Sequence, residues 1–470
     1  MQTSTGGSFA SAGRFLRLAM ALGIGASVAS TRAGAGDSWE ILRSGQAPVA
    51  EVVEFGDTMV ARPVDHDGVV FTRVGAGDWV AAPVEYLEAR GPVSVTSLAA
   101  FGGHFSLLGS CSIPDTPWDT SGEVLGTSAD GLGWETQLAH QGTAYIHGYL
   151  YMKATGGRLL VFGGEGNSSG FGALGYSSED GISWTRFEMH GPSTPIHDVC
   201  GEGPVFVAGG GGETPYGSRC SIMVSTNGVD WTATYTVPSE GYAGSFRRVG
   251  WGNGTYVAVI DFPGVAWLSP DGLTGQWVSI PFTSWGWHPP RRLLFGAGRF
   301  LLFYAFADAE SPLMLGTSAD GREWTRQTWV ESEGIHDVAF GGGRFIAVGE
   351  QGRVMTSRDG LTWKTHEAPT TEVLDWVGPG ERGFLIAGQS EVLMRFVPAP
   401  EVRLSIRAGQ GIEVQVSGDA GVDGELQTSS SLSPLGAWQP VATFVLGEES
   451  WVRSFPNSGE ARFFRAVLDP

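Results

Sequence analysis

The sequence predicts an all-β chain, an eight-bladed β-propeller followed by a small C-terminal β-sandwich, and three observations predict it. A phrase of the form Ser-x-Asp/Asn-Gly-x-x-Trp returns along the chain at spacings of about 40 to 50 residues. Glycine accounts for 72 of 470 residues, about twice the usual ~7%, without the three-residue period of a collagen. Aromatic residues reach 11%, enough to fill many small inter-sheet cores. Glycine-rich and aromatic-rich together mean short strands joined by tight turns.

From the N-terminus, Arg14 and Arg17 precede Leu18–Ala29, an uncharged stretch of small and apolar residues. A basic region, a short apolar region and small residues at a cleavage point are the pattern of an export signal. Residues 1–35 are therefore expected to be a signal peptide, cut after Ser30 or Ala35. The apolar stretch is shorter than the ~20 residues that cross a bilayer as a helix. The mature chain is expected outside the cytoplasm: secreted, periplasmic or at the cell surface.

Residues 36–397 carry the repeat. Its six copies hold Asp130, Asp180, Asn227, Asp271, Asp320 and Asp359, each followed by glycine. The Asp or Asn accepts backbone N–H bonds inside a tight turn, and the glycine takes a backbone conformation that other residues resist. The tryptophan opens the next strand and buries a large apolar surface between neighbouring sheets. These side chains are read as turn staples; the further oxygen ligands of a calcium loop are absent. Between the turns lie three strands, for example Ile335–Phe340, Arg344–Val348 and Gly352–Ser357, and Trp363 opens the fourth. Four antiparallel strands per repeat make a propeller blade. Trp79 closes a unit whose Asp-turn has decayed, and Val373–Phe396 supplies three strands with no fourth. The Trp39–Leu42 segment completes them, so the N-terminal strand closes the last blade. The fourth-strand tryptophans 39, 79, 134, 184, 231, 277, 324 and 363 count eight blades, with seven the alternative if a terminal unit is not a true blade.

The phrase resembles the Asp-box, or bacterial neuraminidase repeat, although it is mostly one residue shorter. Families with this repeat include sialidases, xyloglucanases, sortilin-type receptors and photosystem II assembly factors. The resemblance covers about Trp39 to Phe396 and implies a propeller, not an activity. After Pro398 and Pro400, residues 398–470 lose the repeat. Alternation at Val402–Ile406 and Ile412–Val416, with Trp438 and Phe463, is similar to a fibronectin type III module of secreted bacterial proteins.

Function is sought on the face opposite the Asp-turns, where the chain carries its insertions: Ser110–Gly122 with Trp118, Gly163–Gly175, Gly209–Gly217 with Tyr216, Ala305–Pro312, and Thr283–Pro290 with Trp285, Trp287 and His288. Polar residues of the innermost strands line the central channel there: His197, Asp198, Arg247, Arg291, His336 and Asp337. Aromatics with a few arginines and carboxylates suit a sugar or a peptide. Against that, buried His-Asp pairs commonly satisfy one another and the backbone for structure alone.

Net charge of −20, with no Lys/Arg run, argues against nucleic acid and anionic lipid as partners. Neither a serine-hydrolase elbow, a phosphate loop nor a Cys/His metal pattern occurs, so no cofactor or metal is expected. The sialidase Phe/Tyr-Arg-Ile-Pro motif is missing; Val60–Pro63 does not match it. The expected function is non-catalytic binding of a protein or glycan through the loop-rich face. The alternative is a diverged glycoside hydrolase acting on extracellular polysaccharide, which needs two facing carboxylates. Cys200 and Cys220 fall on the first and third strands of one blade. Two strand spacings put them ~9–10 Å apart, too far for a disulfide.

Overall fold

The computed structural model describes residues 15–18, 37–42, 48–64, 67–89, 91–113, 120–141, 151–167, 170–189, 196–214, 217–237, 246–260, 265–280, 290–304, 314–327, 334–388, 391–399, 402–408, 411–418, 422–429, 438–446, 450–456 and 463–468. They are all-β, with one short 3-10 turn at Glu350–Gly352 and no α-helix among them. The chain divides into two compact units, one of Trp39–Phe396 and one of Met1–Ser38 with Val397–Pro470.

In the larger unit eight antiparallel sheets of four strands follow one another. Their innermost strands are, in order, Val49–Phe55, Ser94–Phe101, Tyr151–Thr155, Ile196–Cys200, Phe246–Gly252, Pro290–Gly296, Ile335–Gly341 and Leu374–Gly380. Seven sheets are built from consecutive strands. The eighth takes Ser38–Ile41 beside Leu393–Val397, and the Trp39 ring stacks on Phe396 at 4.3 Å.

The second strand of each sheet explains the apolar runs in the sequence. In Arg299–Tyr304, Phe300 and Leu302 point into a core shared with the fifth sheet, Leu301 and Phe303 into one shared with the seventh. Both faces are buried, so the strand reads as continuous rather than alternating hydrophobicity. Phe345–Val348 repeats the pattern. Such a core joins each sheet to the next, and one more, holding Leu42, Val52, Met59, Phe71, Leu385 and Leu393, joins the eighth to the first. Fully burying each large side chain contributes ~1.5–3 kcal/mol.

Among the described side chains, seven of the tryptophans singled out in the sequence enter the cores. Trp231 lies among Leu160, Phe162 and Phe187 of the preceding sheet, and Trp324 among Val257, Val259 and Leu268. Trp39, Trp79, Trp134, Trp184 and Trp363 pack at the edges of the corresponding cores. In the six Asp-turns the Asp or Asn accepts the same two backbone N–H groups. In the last copy Asp359 Oδ1 accepts the N–H groups of Leu361 and Thr362, both at 2.8 Å, and Gly360 N–H donates to Ser357 Oγ at 2.8 Å. Gly360 sits at φ 69°, and a Cβ there would lie 2.7 Å from Leu301. Asn227 accepts the same pair of bonds.

The second and third strands of sheets two to four differ from the sequence reading. The glycine-rich stretches expected as loop insertions largely continue the strands as long hairpins. Gly163–Asn167 pairs with Gly170–Leu174, and Gly211–Thr214 with Gly217–Cys220, beyond the reach of the inner strands. Cys111 and Cys200 are free, buried thiols.

The smaller unit has two sheets. One holds Val402–Ala408, Gly411–Gly418 and Trp451–Pro456; the other Asp423–Ser429, Gln439–Val445 and Phe463–Leu468, with Phe15–Leu18 antiparallel to the last. Leu404, Val414, Val416, Leu426, Phe444 and Phe464 form its core. The expected leader stretch beyond Leu18 lies outside the described residues.

Candidate functional site

All but one of the innermost strands share a local irregularity that positions the site; Tyr151–Thr155 pairs without it. In the other seven the pairing to the second strand skips one residue near the start: Ala50, Thr96, His197, Arg247, Arg291, His336 and Asp375. A β-bulge inserts one unpaired residue and re-aims its side chain. The residue after each bulge returns to register, giving Glu51, Ser97, Asp198, Arg248, Arg292, Asp337 and Trp376. The bulges stand at the strand ends away from the Asp-turns, as the pairing of Phe246 with Ile260 and of Tyr256 with Ser269 requires.

The in-register acids bind each sheet to its neighbour. Glu51 Oε2 accepts Leu98 N–H at 3.0 Å, Asp198 Oδ2 accepts Val249 N–H at 2.9 Å, and Asp337 Oδ2 accepts Val377 N–H at 3.1 Å. The second Asp198 oxygen takes Lys153 Nζ at 2.8 Å. The second Asp337 oxygen takes Arg292, with Nε and Nη2 both at 2.9 Å. Burial pushes the Glu51 carboxyl up, against the opposing pull of Arg62 and the Leu98 bond.

The expected His-Asp pairing within a strand does not occur. Neighbouring strand residues point to opposite faces and the bulge re-aims the unpaired one, so each finds a partner elsewhere. His197 Nε2 contacts the Gly211 carbonyl at 2.8 Å and Arg247 at 3.2 Å. His336 Nδ1 meets Asp375 Oδ1 of the next sheet at 2.7 Å. Both acids serve the scaffold.

Where these rows meet, a cavity of about 670 Å³ opens, within the size range of small-molecule and peptide sites. Arg248, Arg291, Arg292, His336, Asp337 and Asp375 form its polar wall; Pro48, Val49, Ala50, Val64 and Trp376 form its apolar wall. Val64 is 52% exposed. The Trp376 indole lies over Gly378, where a Cβ would come within 2.6 Å of the ring.

The cations differ in their partners. Arg292 is ion-paired to Asp337. Arg248 donates Nε to the Arg291 carbonyl at 2.7 Å and Nη1 to the Arg247 carbonyl at 2.6 Å. Among the described residues no carboxylate lies within ion-pairing distance of Arg248. Burial lowers its pKa first; Asp198 opposes, and the charges of Arg292 and Arg247 lower it further. Arg291 is exposed and donates Nη1 to the His336 carbonyl at 3.2 Å.

Of the sequence-predicted residues, the cavity gathers Arg291, His336 and Asp337; His197, Asp198 and Arg247 lie outside its lining. Trp118, Tyr216, Trp285, Trp287 and His288 fall outside the described residues. Sequence reasoning missed Arg248, Arg292, Asp375 and Trp376. Counting back four residues from the hairpin positions Gly252, Gly296, Gly341 and Gly380 aligns Arg248, Arg292, Asp337 and Trp376. Among the described residues no cluster of three or more His, Cys, Asp or Glu side chains is placed to hold a metal ion. No helix there is long and apolar enough to cross a membrane.

No family model matches the chain, and no curated protein sequence does. Solved structures similar to it are β-propellers. YCF48 bound to D1 peptide has a TM-score of 0.44 at 14% identity, covering 76% of this chain and 96% of that one. BamB from Moraxella catarrhalis has 0.43 at 12%, covering 78% and 98%. Virginiamycin B lyase from Staphylococcus aureus has 0.42 at 11%, covering 77% and 99%.

Proposed function

We propose that the chain is an exported, non-catalytic eight-bladed β-propeller of Asp-box type. In this reading it binds a protein or glycan through the face opposite its Asp-turns, and the Ser38–Ile41 strand closes the ring. One observation carries it: a 670 Å³ cavity at the bulged strand ends, whose lining combines apolar residues with Arg248, which among the described residues hydrogen-bonds only to carbonyls. A partly buried cation that makes no direct ion pair is stabilised by an anionic ligand. The glycoside hydrolase alternative needs two free facing carboxylates. Of the two acids lining the cavity, Asp337 has both oxygens engaged and Asp375 Oδ1 is held by His336, which favours binding over hydrolysis.

The test is a peptide array and a glycan array probed with the full-length protein and with an Arg291→Gln/Trp376→Ala variant. Binding by the parent that the variant loses supports the reading. Blank arrays, or equal binding by both proteins, overturn it. Export is tested by expressing the whole chain in a bacterial host and sequencing the N-terminus of the extracytoplasmic product. A start at Thr31 or Gly36 is expected; an intact Met1 in the cytoplasm is the contrary result.

A further inference from the structure

We propose that the cavity receives the C-terminal carboxylate of a polypeptide whose last residue is apolar, with Arg248 and Arg291 holding the carboxylate and the Trp376–Val64 wall holding the side chain. The inference rests on the binding reading above and narrows it to one ligand chemistry.

The polar wall decides the ligand's hydrogen-bonding character. Its open positions are donors: the remaining N–H groups of Arg248 and of Arg291, after the three carbonyl bonds they make. Its acceptors are largely in use, since Asp337 binds Arg292 and the Val377 N–H, and Asp375 binds His336. A carboxylate only accepts, so it matches a wall of donors, and planar guanidinium groups suit it geometrically. A sugar brings several hydroxyl donors, which would find few open acceptors here.

The apolar part of the lining decides what sits beside the anion. Pro48, Val49, Ala50, Val64 and Trp376 offer apolar surface without a hydrogen-bonding side chain other than the indole N–H. A terminal residue joins a carboxylate and an apolar side chain on one carbon, which matches a lining that holds both arginines and apolar residues.

The charge of the whole molecule weighs against polyanions. At −20 overall, long-range repulsion works against polyanions such as nucleic acid or polyuronate. A single carboxylate on an otherwise neutral chain meets the local arginines without that penalty.

The experiment uses full-length protein and an array of neutral hexapeptides ending in Leu, Phe, Ser or Lys, each as free acid and as C-terminal amide. Oligogalacturonate and free N-acetyl-leucine are additional probes. Apolar-ended free acids are expected to bind about tenfold or more tighter than their amides, the worth of one charge-assisted bond pair. Arg291→Gln should remove that preference while leaving residual binding to the amides. Arg248→Met tests the second cation, and Arg291, whose side chain is exposed with one carbonyl bond, keeps the test valid if the Arg248 variant misfolds. N-acetyl-leucine competing as well as the peptides would make the source a small carboxylic acid and overturn the chain-end assignment. Peptide binding that ignores the terminal carboxylate, or tighter binding of oligogalacturonate, overturns the inference while the general binding reading stands. Failure of every probe, together with blank arrays above, defeats both.

Discussion

Arg395 offers the sharpest test of how the first and last sheets are held together. Its guanidinium grips Glu54 at both ends, Nη1 to Oε2 at 2.9 Å and Nη2 to Oε1 at 2.6 Å, and its Nε reaches Glu40 at 3.2 Å. Glu54 stands on the first innermost strand, Arg395 on Leu393–Val397 and Glu40 on Ser38–Ile41. Only 4% of the Arg395 side chain and 3% of Glu54 are exposed. Replacing Arg395 by Met leaves a buried carboxylate whose one remaining hydrogen bond among the described residues is from the Glu381 N–H. Removing one partner of a buried pair costs about 3–5 kcal/mol, whereas an exposed pair is worth about 0.2–1 kcal/mol. Urea unfolding of the full chain should show the larger loss, and Arg395→Met/Glu54→Gln should recover most of it, because no buried charge remains. Burial raises the Glu54 pKa, but the Arg395 bonds, the Glu381 N–H and nearby arginine charge outweigh it, so the carboxyl titrates below its ordinary 4.5. The pair's stabilisation is therefore complete above pH 4.5 and is lost as pH falls through the lowered value. A loss under about 1 kcal/mol for Arg395→Met, or no coupling in the double-mutant cycle, would refute the closure argument.

Three further outcomes are expected. Asp359→Ala should lower stability by about 1 kcal/mol in denaturant unfolding, whereas Asp359→Asn should be nearly neutral, because Asn227 fills the same role in a sister turn. Glu123 is pushed up to about 7 by burial; a carboxyl with a raised folded pKa favours the folded state in acid, so stability should fall between pH 4.5 and 7. Glu123→Gln should abolish that slope, and an unchanged pH profile would show the carboxyl to be solvated. Cys111 and Cys200 should react with a thiol reagent only on unfolding, since both are buried and burial raises both thiols, the charge of Glu202 adding to the effect at Cys200. Rapid native-state labelling would contradict that placement.

The repeat was legible because its chemistry is local. A tight turn needs a short side-chain acceptor, a glycine at positive φ and a large ring to start the next strand, and all three occur within seven residues. The doubly buried second strand Arg344–Val348 was legible for the same reason, as an apolar run. The long hairpins of sheets two to four were not. Glycine weakens a strand signal, and in Gly209–Gly212 nothing but cross-strand pairing marks the residues as strand.

The cavity was half legible, and the bulges explain which half. Side chains alternate along a regular strand, so His336 and Asp337 already point to opposite faces, and a bulge changes that relation again by a shift no composition pattern records. Reading the pair His-Asp as mutual partners therefore failed at both His197–Asp198 and His336–Asp337, while each member had a role of its own. The in-register residue ties its strand to the next sheet, as Asp198 does to Val249 and Asp337 to Val377. The bulged residue is freed from the ladder and takes partners beyond its own strand, as His336 does with Asp375. Arg248 breaks this division: it occupies an in-register position where its counterparts in the fourth and seventh sheets are acids, and it donates to carbonyls alone. Exchanging Arg248 for Asp would supply the missing acid toward the sixth sheet and remove the cation from the wall. If the position is structural, Arg248→Asp should lower stability through the loss of its two carbonyl bonds. If it is a ligand position, the same change should abolish recognition of a terminal carboxylate without unfolding the chain.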